Sequence, residues 1–399
     1  MKKLMLIAAS AAIVLAAGCA KNERLTSPND EQHAIGFSNY TPTNITKANS
    51  TLVTAAKPAA GTHFAVYAWQ TANASFLTAT PDTPNFMNPA DVTWGDDTTD
   101  GDGNTYSPLR FWPSGDNPAN LSFVAYYPFG AAGITAPTFS NSVAAGAVGT
   151  YAFTAQNASE NMVDFCVSDV VNDQVYGSTN VSPTYPGTVQ FTFRHALAKV
   201  RFLFKKATGL GTTTVIELVD AELSGIKNSG TFKATYTQNA SPAVGAPGHT
   251  AFAWSDQAGT AGYEVRLNNV DPESGSAIVL GEAVNDTHNN DYFLMVPQDM
   301  DDSAPQTLTV TWKVKVYDTA EHATANGSTG LLSETTNTRA LSLYDDLMTS
   351  DSDDTGVSAV NWEINDFITY TITIGPKPIW FTAQVDPWST EEHAYINVH

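Results

Sequence analysis

The chain has 399 residues, a formal net charge of −21 and only 19 lysines and arginines. Such an excess of carboxylates excludes nucleic acid and anionic membrane surfaces as natural partners, because both would be repelled at close range. The two cysteines, Cys19 and Cys166, leave no disulfide framework, so stability must come from apolar cores, and the length fits two domains better than one.

Lys2 and Lys3 precede an apolar run, Leu4 to Leu15, and small residues then lead into Leu15-Ala16-Ala17-Gly18-Cys19. The run is too short for a spanning helix, and the order of regions is that of a secretory signal. A cysteine directly after Ala-Gly makes it the bacterial lipoprotein form, cut before Cys19, whose thiol takes a diacylglycerol. Residues 20–31 read as a polar tether. Ala34 to Tyr40 has strand character, and Lys47 follows in a loop of small polar residues that suits a trypsin-like protease.

From there the body reads as all-β. Thr, Val, Tyr, Phe and Trp are plentiful, and Gly, Pro, Asn and Asp interrupt the apolar runs at short intervals. Phe64, Val66 and Ala68 alternate with their neighbours, as do Leu308, Val310, Trp312, Val314 and Val316, and Tyr370, Ile372 and Ile374. One apolar and one wet face per strand predicts two-sheet sandwiches. The turn-rich stretch 177–187 marks a domain boundary, and Leu341 to Met348 is read as a short helix.

Between Val189 and Phe204 the alternation changes phase. Phe191 and Phe193 point inward on odd numbers, Val200, Phe202 and Phe204 on even ones, with Lys199 and Arg201 facing out. A bulge or break near His195 to Ala198 must reset the register. His195 is read as a hydrogen-bonded structural residue, and Cys166 as a buried core thiol.

No catalytic constellation is present, and no cofactor, metal or enzymatic activity is expected. Asp100, Asp102 and Asn104 match the first, third and fifth positions of an EF-hand loop, but Thr105 and Phe111 occupy the sixth and twelfth, so a solvated acidic loop is expected. Asp351 to Asp354 is read the same way. Eight tryptophans raise the alternative of a surface glycan-binding lipoprotein, although Trp312 falls on an inward face. The triplets beginning at Asp97, Asp302 and Asp318 have the form of O-glycan acceptors. Toward the carboxyl end, Ile379, Phe381 and Val385 alternate, Asp386 to Ser389 turns, and Ala394, Ile396 and Val398 alternate again. A free strand of this kind packs on its own domain or joins a neighbour's sheet.

The signal, the Ile35-Gly36-Phe37 strand before Thr46-Lys47-Ala48, Phe111-Trp112-Pro113 with Leu121 to Pro128, Val163-Asp164-Phe165, and Phe193 to Val200 form one series. It closes on Tyr370 to Ile374 leading through Ile379 and Phe381 to Val385-Asp386-Pro387-Trp388. The series resembles the fimbrillin (FimA/Mfa-like) family of Bacteroidetes type V pilus subunits. The resemblance implies two tandem transthyretin-like β-sandwich domains and a structural fimbrial subunit, exported as a lipoprotein precursor and matured by an Arg- or Lys-specific protease. It further implies polymerisation by strand exchange and a part in cell adhesion.

By position, Cys19 is then the lipidated residue, Lys47 the maturation site, Ile35 and Phe37 the removed plug, and Ile379 to His399 the donor region, with Ile379, Phe381, Val385, Ile396 and Val398 as its inward residues. The corresponding division is 1–18 signal peptide, 19–47 lipidated propeptide, 48–188 amino-terminal sandwich and 189–399 carboxyl-terminal sandwich. Implied partners are other copies, tip and anchor proteins, the outer membrane through the lipid, and a host or bacterial surface receptor. The implied location is the outer membrane and then the extracellular fimbrium.

Overall fold

Runs of β-branched and aromatic residues broken by Gly, Asn and Asp favour paired strands over helices. The computed structural model describes residues 26–27, 30–31, 33–39, 61–72, 76, 82–95, 104–113, 119–142, 146–156, 161–177, 187–236, 250–265, 277–283, 292–301, 303–344, 361–375 and 379–387. These residues are overwhelmingly strand. A short helix, Ala320–Ala325, starts at Thr319, whose hydroxyl accepts from the His322 N–H.

The first sheet runs in the order Phe193–His195, Cys166–Ser168, Asn120–Tyr127, His63–Thr71, Met87–Thr93 and Thr105–Tyr106, and Val171–Gln174 also pairs with Asn120–Tyr127. Phe64, Val66, Phe123 and Ala125 enter one core together with Ile35, Phe37, Val189 and Phe191. Ala65, Tyr67, Trp69, Val124 and Tyr126 enter another, against Tyr151, Phe153, Phe232 and Tyr236. The latter belong to a four-stranded sheet of Thr138–Ser142, Gly146–Thr154, Ser229–Tyr236 and Thr250–Ala258. The expected wet face is therefore absent from Phe64 to Trp69, all six of which are buried. Alternation there separates two cores rather than core from water.

The third core follows the expected pattern more closely. A sheet of Phe293–Met295, Ala198–Lys206, Asp366–Ile374 and Ile379–Pro387 faces one of Ala261–Glu264, Thr214–Ile226, Thr307–Tyr317 and Leu331–Ser342. Val200, Phe202, Phe204, Ile216, Leu218, Val310, Trp312, Tyr370 and Ile372 fill the space between. Thr309, Thr311, Lys313 and Lys315 on the other face remain partly exposed.

The phase change is the passage of the chain from one core to the next. Breaks at Thr192 and at Ala196–Leu197 separate strands Thr188–Phe191, Phe193–His195 and Ala198–Lys206. Phe191 and Phe193 lie in the first core, Ala196 and Leu197 in the middle one, and Val200 and Phe202 in the last.

Three further expectations are corrected. Thr188–Phe191 pairs with Gly36–Asn39 and Phe193–His195 with Cys166–Ser168, so residues 188–195 complete the first sheet's packing rather than opening the second half. Strand pairing also joins Gly146–Thr154 to Ser229–Tyr236, across the expected division. Leu341 ends a strand instead of starting a helix, because it pairs with Leu308 and both are fully buried; residues 345–348 lie outside the described region.

Lys199 and Arg201 do not face water freely either. They share a face with Leu294 and Phe367, which belong to the middle core, and Arg201 is only 8% exposed. Its guanidinium lies 4.9 Å from the Phe367 ring centre and its Nε donates to Thr369 Oγ1 at 3.0 Å. The Lys199 ammonium sits 3.9 Å from the Tyr292 ring centre.

Burial pulls the Lys199 pKa down to about 8, with the nearby Asp164 charge opposing and Arg201 adding to the shift. From about pH 8 up to the ordinary lysine value of 10.5, the unfolded chain binds more protons at this residue than the folded one, so its contribution to stability improves as pH rises through that window. Lys199→Met removes this dependence. The stability gap between parent and variant should change between about pH 7.5 and 10 in urea denaturation; a constant gap would show that Lys199 titrates normally.

Candidate strand-exchange groove

The amino-terminal strand Gly36–Asn39 and the residue before it supply the groove's occupant. Extended backbone sends Ile35 and Phe37 to one side, where they are 1% and 2% exposed. Gly36 faces Thr188, and a Cβ there would lie 2.7 Å from Thr188 Oγ1, which explains a glycine between two large apolar residues.

The Phe37 ring stacks 5.7 Å from Phe191 and meets Phe64 and Phe123 edge-on at 6.5 and 6.1 Å. Burying Ile35 and Phe37 stabilises the seated strand by roughly 1.5–3 kcal/mol each. Ser38 is also buried, and among the described residues its hydroxyl has no hydrogen-bond partner.

One edge of this strand pairs in parallel with Thr188–Phe191, Gly36 opposite Thr188 and Asn39 opposite Phe191. The Gly36 N–H also donates to the Gly187 carbonyl at 3.0 Å. The other edge is held by the segment 104–112. The Ile35 N–H donates to the Arg110 carbonyl, and the Trp112 N–H to the His33 carbonyl, both at 2.9 Å.

Two side chains complete that edge. Asn104 Nδ2 donates to the Phe37 carbonyl at 2.9 Å while its Oδ1 accepts from the Gly95 N–H. The Tyr106 hydroxyl donates to the Ile35 carbonyl at 2.8 Å. Burial pushes the Tyr106 phenol up to about 12, against smaller opposing effects of Arg110, so it stays a donor. Trp112 closes the end, its Nε1 donating to the Gly187 carbonyl at 2.9 Å.

The sequence-expected residues fall into three groups. Ile35 and Phe37 lie together in the groove. Ile379, Phe381 and Val385 belong to Ile379–Pro387, an edge strand antiparallel to Asp366–Ile374 in the far sheet, where Val385 is 44% exposed. Cys19, Lys47, Ile396 and Val398 lie outside the described residues, as do Asp96 to Asp102 of the acidic loop. Asn104, the residue placed fifth in a calcium loop, instead uses its amide on the amino-terminal strand. The parts played by Gly36, Asn104 and Tyr106 were missed. A glycine between Ile35 and Phe37 was the one local signal that another backbone or side chain approaches closely.

A fimbrial protein from Bacteroides vulgatus of known structure is 20% identical, with a TM-score of 0.54 over 90% of this chain and 100% of its own. A proposed cell adhesion protein from Bacteroides uniformis gives 13% identity and a TM-score of 0.42, over 91% of this chain and 100% of that one. The tip fimbrial protein Mfa3 from Porphyromonas gingivalis, with a carboxyl-terminal truncation, gives 9% and 0.36, over 82% and 95%. No curated protein matches the chain significantly. A family model described as fimbrillin-like matches residues 46–388, and with most of its length so matched the chain belongs to the fimbrillin-like family.

Proposed function

We propose that this protein is the exported lipoprotein precursor of a polymerising fimbrial subunit. Cleavage after Lys47 frees the amino-terminal strand, and a carboxyl-terminal strand of the next copy takes its place. The observation that carries this reading is the seating of Ile35 and Phe37, fully buried in a core whose remaining walls come from residues 64 onward. Lys47 lies in sequence between that strand and the body, so one cut there severs the only covalent link.

An emptied groove leaves unpaired backbone groups at Gly187 to Phe191 and an open aromatic pocket, neither of which is tolerated alone. The alternating segments from Ile379 onward have the pattern to fill it. Because groove and donor sit on different sheets, the contact is heterologous and propagates as a filament. In this reading the protein is non-enzymatic, supports adhesion from the cell surface, and assembles with tip and anchor proteins.

Six of the eight tryptophans lend the glycan-binding alternative no support. Trp69, Trp94, Trp112, Trp312 and Trp362 are buried, and Trp254 is half-buried with its Nε1 donating to the Ala196 carbonyl. None of these six offers an open platform.

Limited trypsin treatment of the chain lacking its signal should cut after Lys47 and yield ladders stable to mild detergent. Lys47→Ala should abolish them, and deletion of residues 390–399 should abolish them without preventing the cut. Ladders that survive the deletion would assign the donor elsewhere. Release of the strand should also red-shift tryptophan emission, since Trp94 and Trp112 line the groove.

Phe37→Ala should destabilise the uncut precursor by about 3–5 kcal/mol, the usual cost of emptying a buried phenylalanine site. The same substitution should leave the stability of the assembled, strand-exchanged form unchanged. Equal losses before and after cleavage, measured by thermal denaturation, would mean that the strand is never removed.

A further inference from the structure

Away from the groove, Asp164, Cys166 and His195 bring a carboxylate, a thiol and an imidazole together, with their ligand atoms all within 4.8 Å of one another. We propose that these three residues form a binding site for one divalent cation of the Zn²⁺ class.

The sheet itself sets the geometry. Cys166 and His195 are direct partners on neighbouring antiparallel strands, so their side chains rise from the same face at a fixed spacing. Asp164 approaches from the residues just before Cys166. Its Oδ1 lies 2.7 Å from His195 Nδ1 and 3.4 Å from Cys166 Sγ, and Sγ lies 3.5 Å from Nδ1.

Ligand bond lengths near 2.0–2.3 Å at tetrahedral angles place sulfur about 3.5 Å from a nitrogen or oxygen ligand, and nitrogen about 3.3 Å from oxygen. The two sulfur distances already match. The third requires the carboxylate to move by about half an ångström, and Asp164 is the member with room to move, its side chain 33% exposed against 2% for His195. That opening gives an entry path and leaves the fourth position to water. A thiolate and a carboxylate together balance the charge of a divalent ion, and the mix of sulfur, nitrogen and oxygen favours Zn²⁺ over Mg²⁺ or Ca²⁺.

The same atoms do not make a nucleophile. Asp164 and Cys166 both address Nδ1 of one imidazole, so Asp164 does not orient that ring as a base toward the sulfur through its opposite nitrogen. A cysteine ligates a metal as its thiolate. Binding therefore breaks the S–H bond, forms an S–metal bond and releases one proton to solvent. The bound ion would cross-link strand Phe193–His195 to Cys166–Ser168 at the point where the chain leaves the first core.

The test uses the full chain with Cys19→Ala, which leaves Cys166 the only thiol, titrated with Co²⁺ as a spectroscopic stand-in. One equivalent should bring up a sulfur-to-cobalt charge-transfer band in the near ultraviolet and visible bands of tetrahedral intensity, both discharged by Zn²⁺. Zn²⁺ should also raise the Tm. Cys166→Ser should lose the charge-transfer band. Asp164→Asn, at the partly exposed position, should keep the fold by circular dichroism and weaken Co²⁺ binding more than about 10-fold, the least effect seen for partners of metal ligands. A folded chain that shows no thiolate band, or Asp164→Asn binding Co²⁺ as tightly as the parent, would overturn the site.

Discussion

An apolar sheet face must be covered, and the rest of this structure depends on how the first sheet meets that demand. Its central strands, His63–Thr71 and Asn120–Tyr127, are buried on both sides. One cover is a four-stranded sheet with pairing of its own. The other, among the described residues, is built on two short parallel strands, Gly36–Asn39 and Thr188–Phe191. Parallel pairs are the weaker kind, and two strands alone have little independent stability. The amino-terminal strand is therefore held chiefly by the side chains it inserts and by the clasp of Asn104, Tyr106 and Arg110. Its side chains fill the core, yet among the described residues no further strand lies beyond it to lock it into a large sheet.

The segment 188–206 joins the separate parts. Within nineteen residues it lines the groove, crosses the middle core at Ala196 and Leu197, and becomes a central strand of the far sheet. The breaks at Thr192 and Ala196–Leu197 allow each stretch to present the correct face to a different core. Arg194, paired with Asp169 at 2.9 Å, and His195, bonded to Asp164, alternate to opposite faces of their strand and tie the interrupted backbone down on each. Both of these basic side chains are buried.

What the sequence made legible follows from which interactions are local. Alternation from Leu308 to Trp312 identified the inward residues, and the odd-to-even switch around His195 located a break that is present in the fold. Alternation does not say what lies over the opposite face, so Ala65, Tyr67 and Arg201 could not be recognised as buried. Nor does it name a strand's partner: nothing in Gly146–Thr154 points to Ser229–Tyr236. At the groove, Ile35 and Phe37 announced an apolar strand. The residues that clasp it lie some seventy positions away and look like ordinary loop residues, because an asparagine amide or a tyrosine hydroxyl carries no sequence periodicity. The Asp164–Cys166–His195 cluster escaped for the same reason, its members being joined by strand pairing rather than by spacing.

The far sheet has a mechanical corollary. Lys199 pairs with Phe367, and Phe367 with Asp386, so all three share one end of that sheet. The chain enters there from the groove and leaves there along Ile379–Pro387. A pull applied between groove and tail reaches the sheet at this one end, and would part its strands from there inward, one backbone pair after another. The cations of Lys199 and Arg201, packed on the rings of Tyr292 and Phe367, stand where such a tear would have to begin.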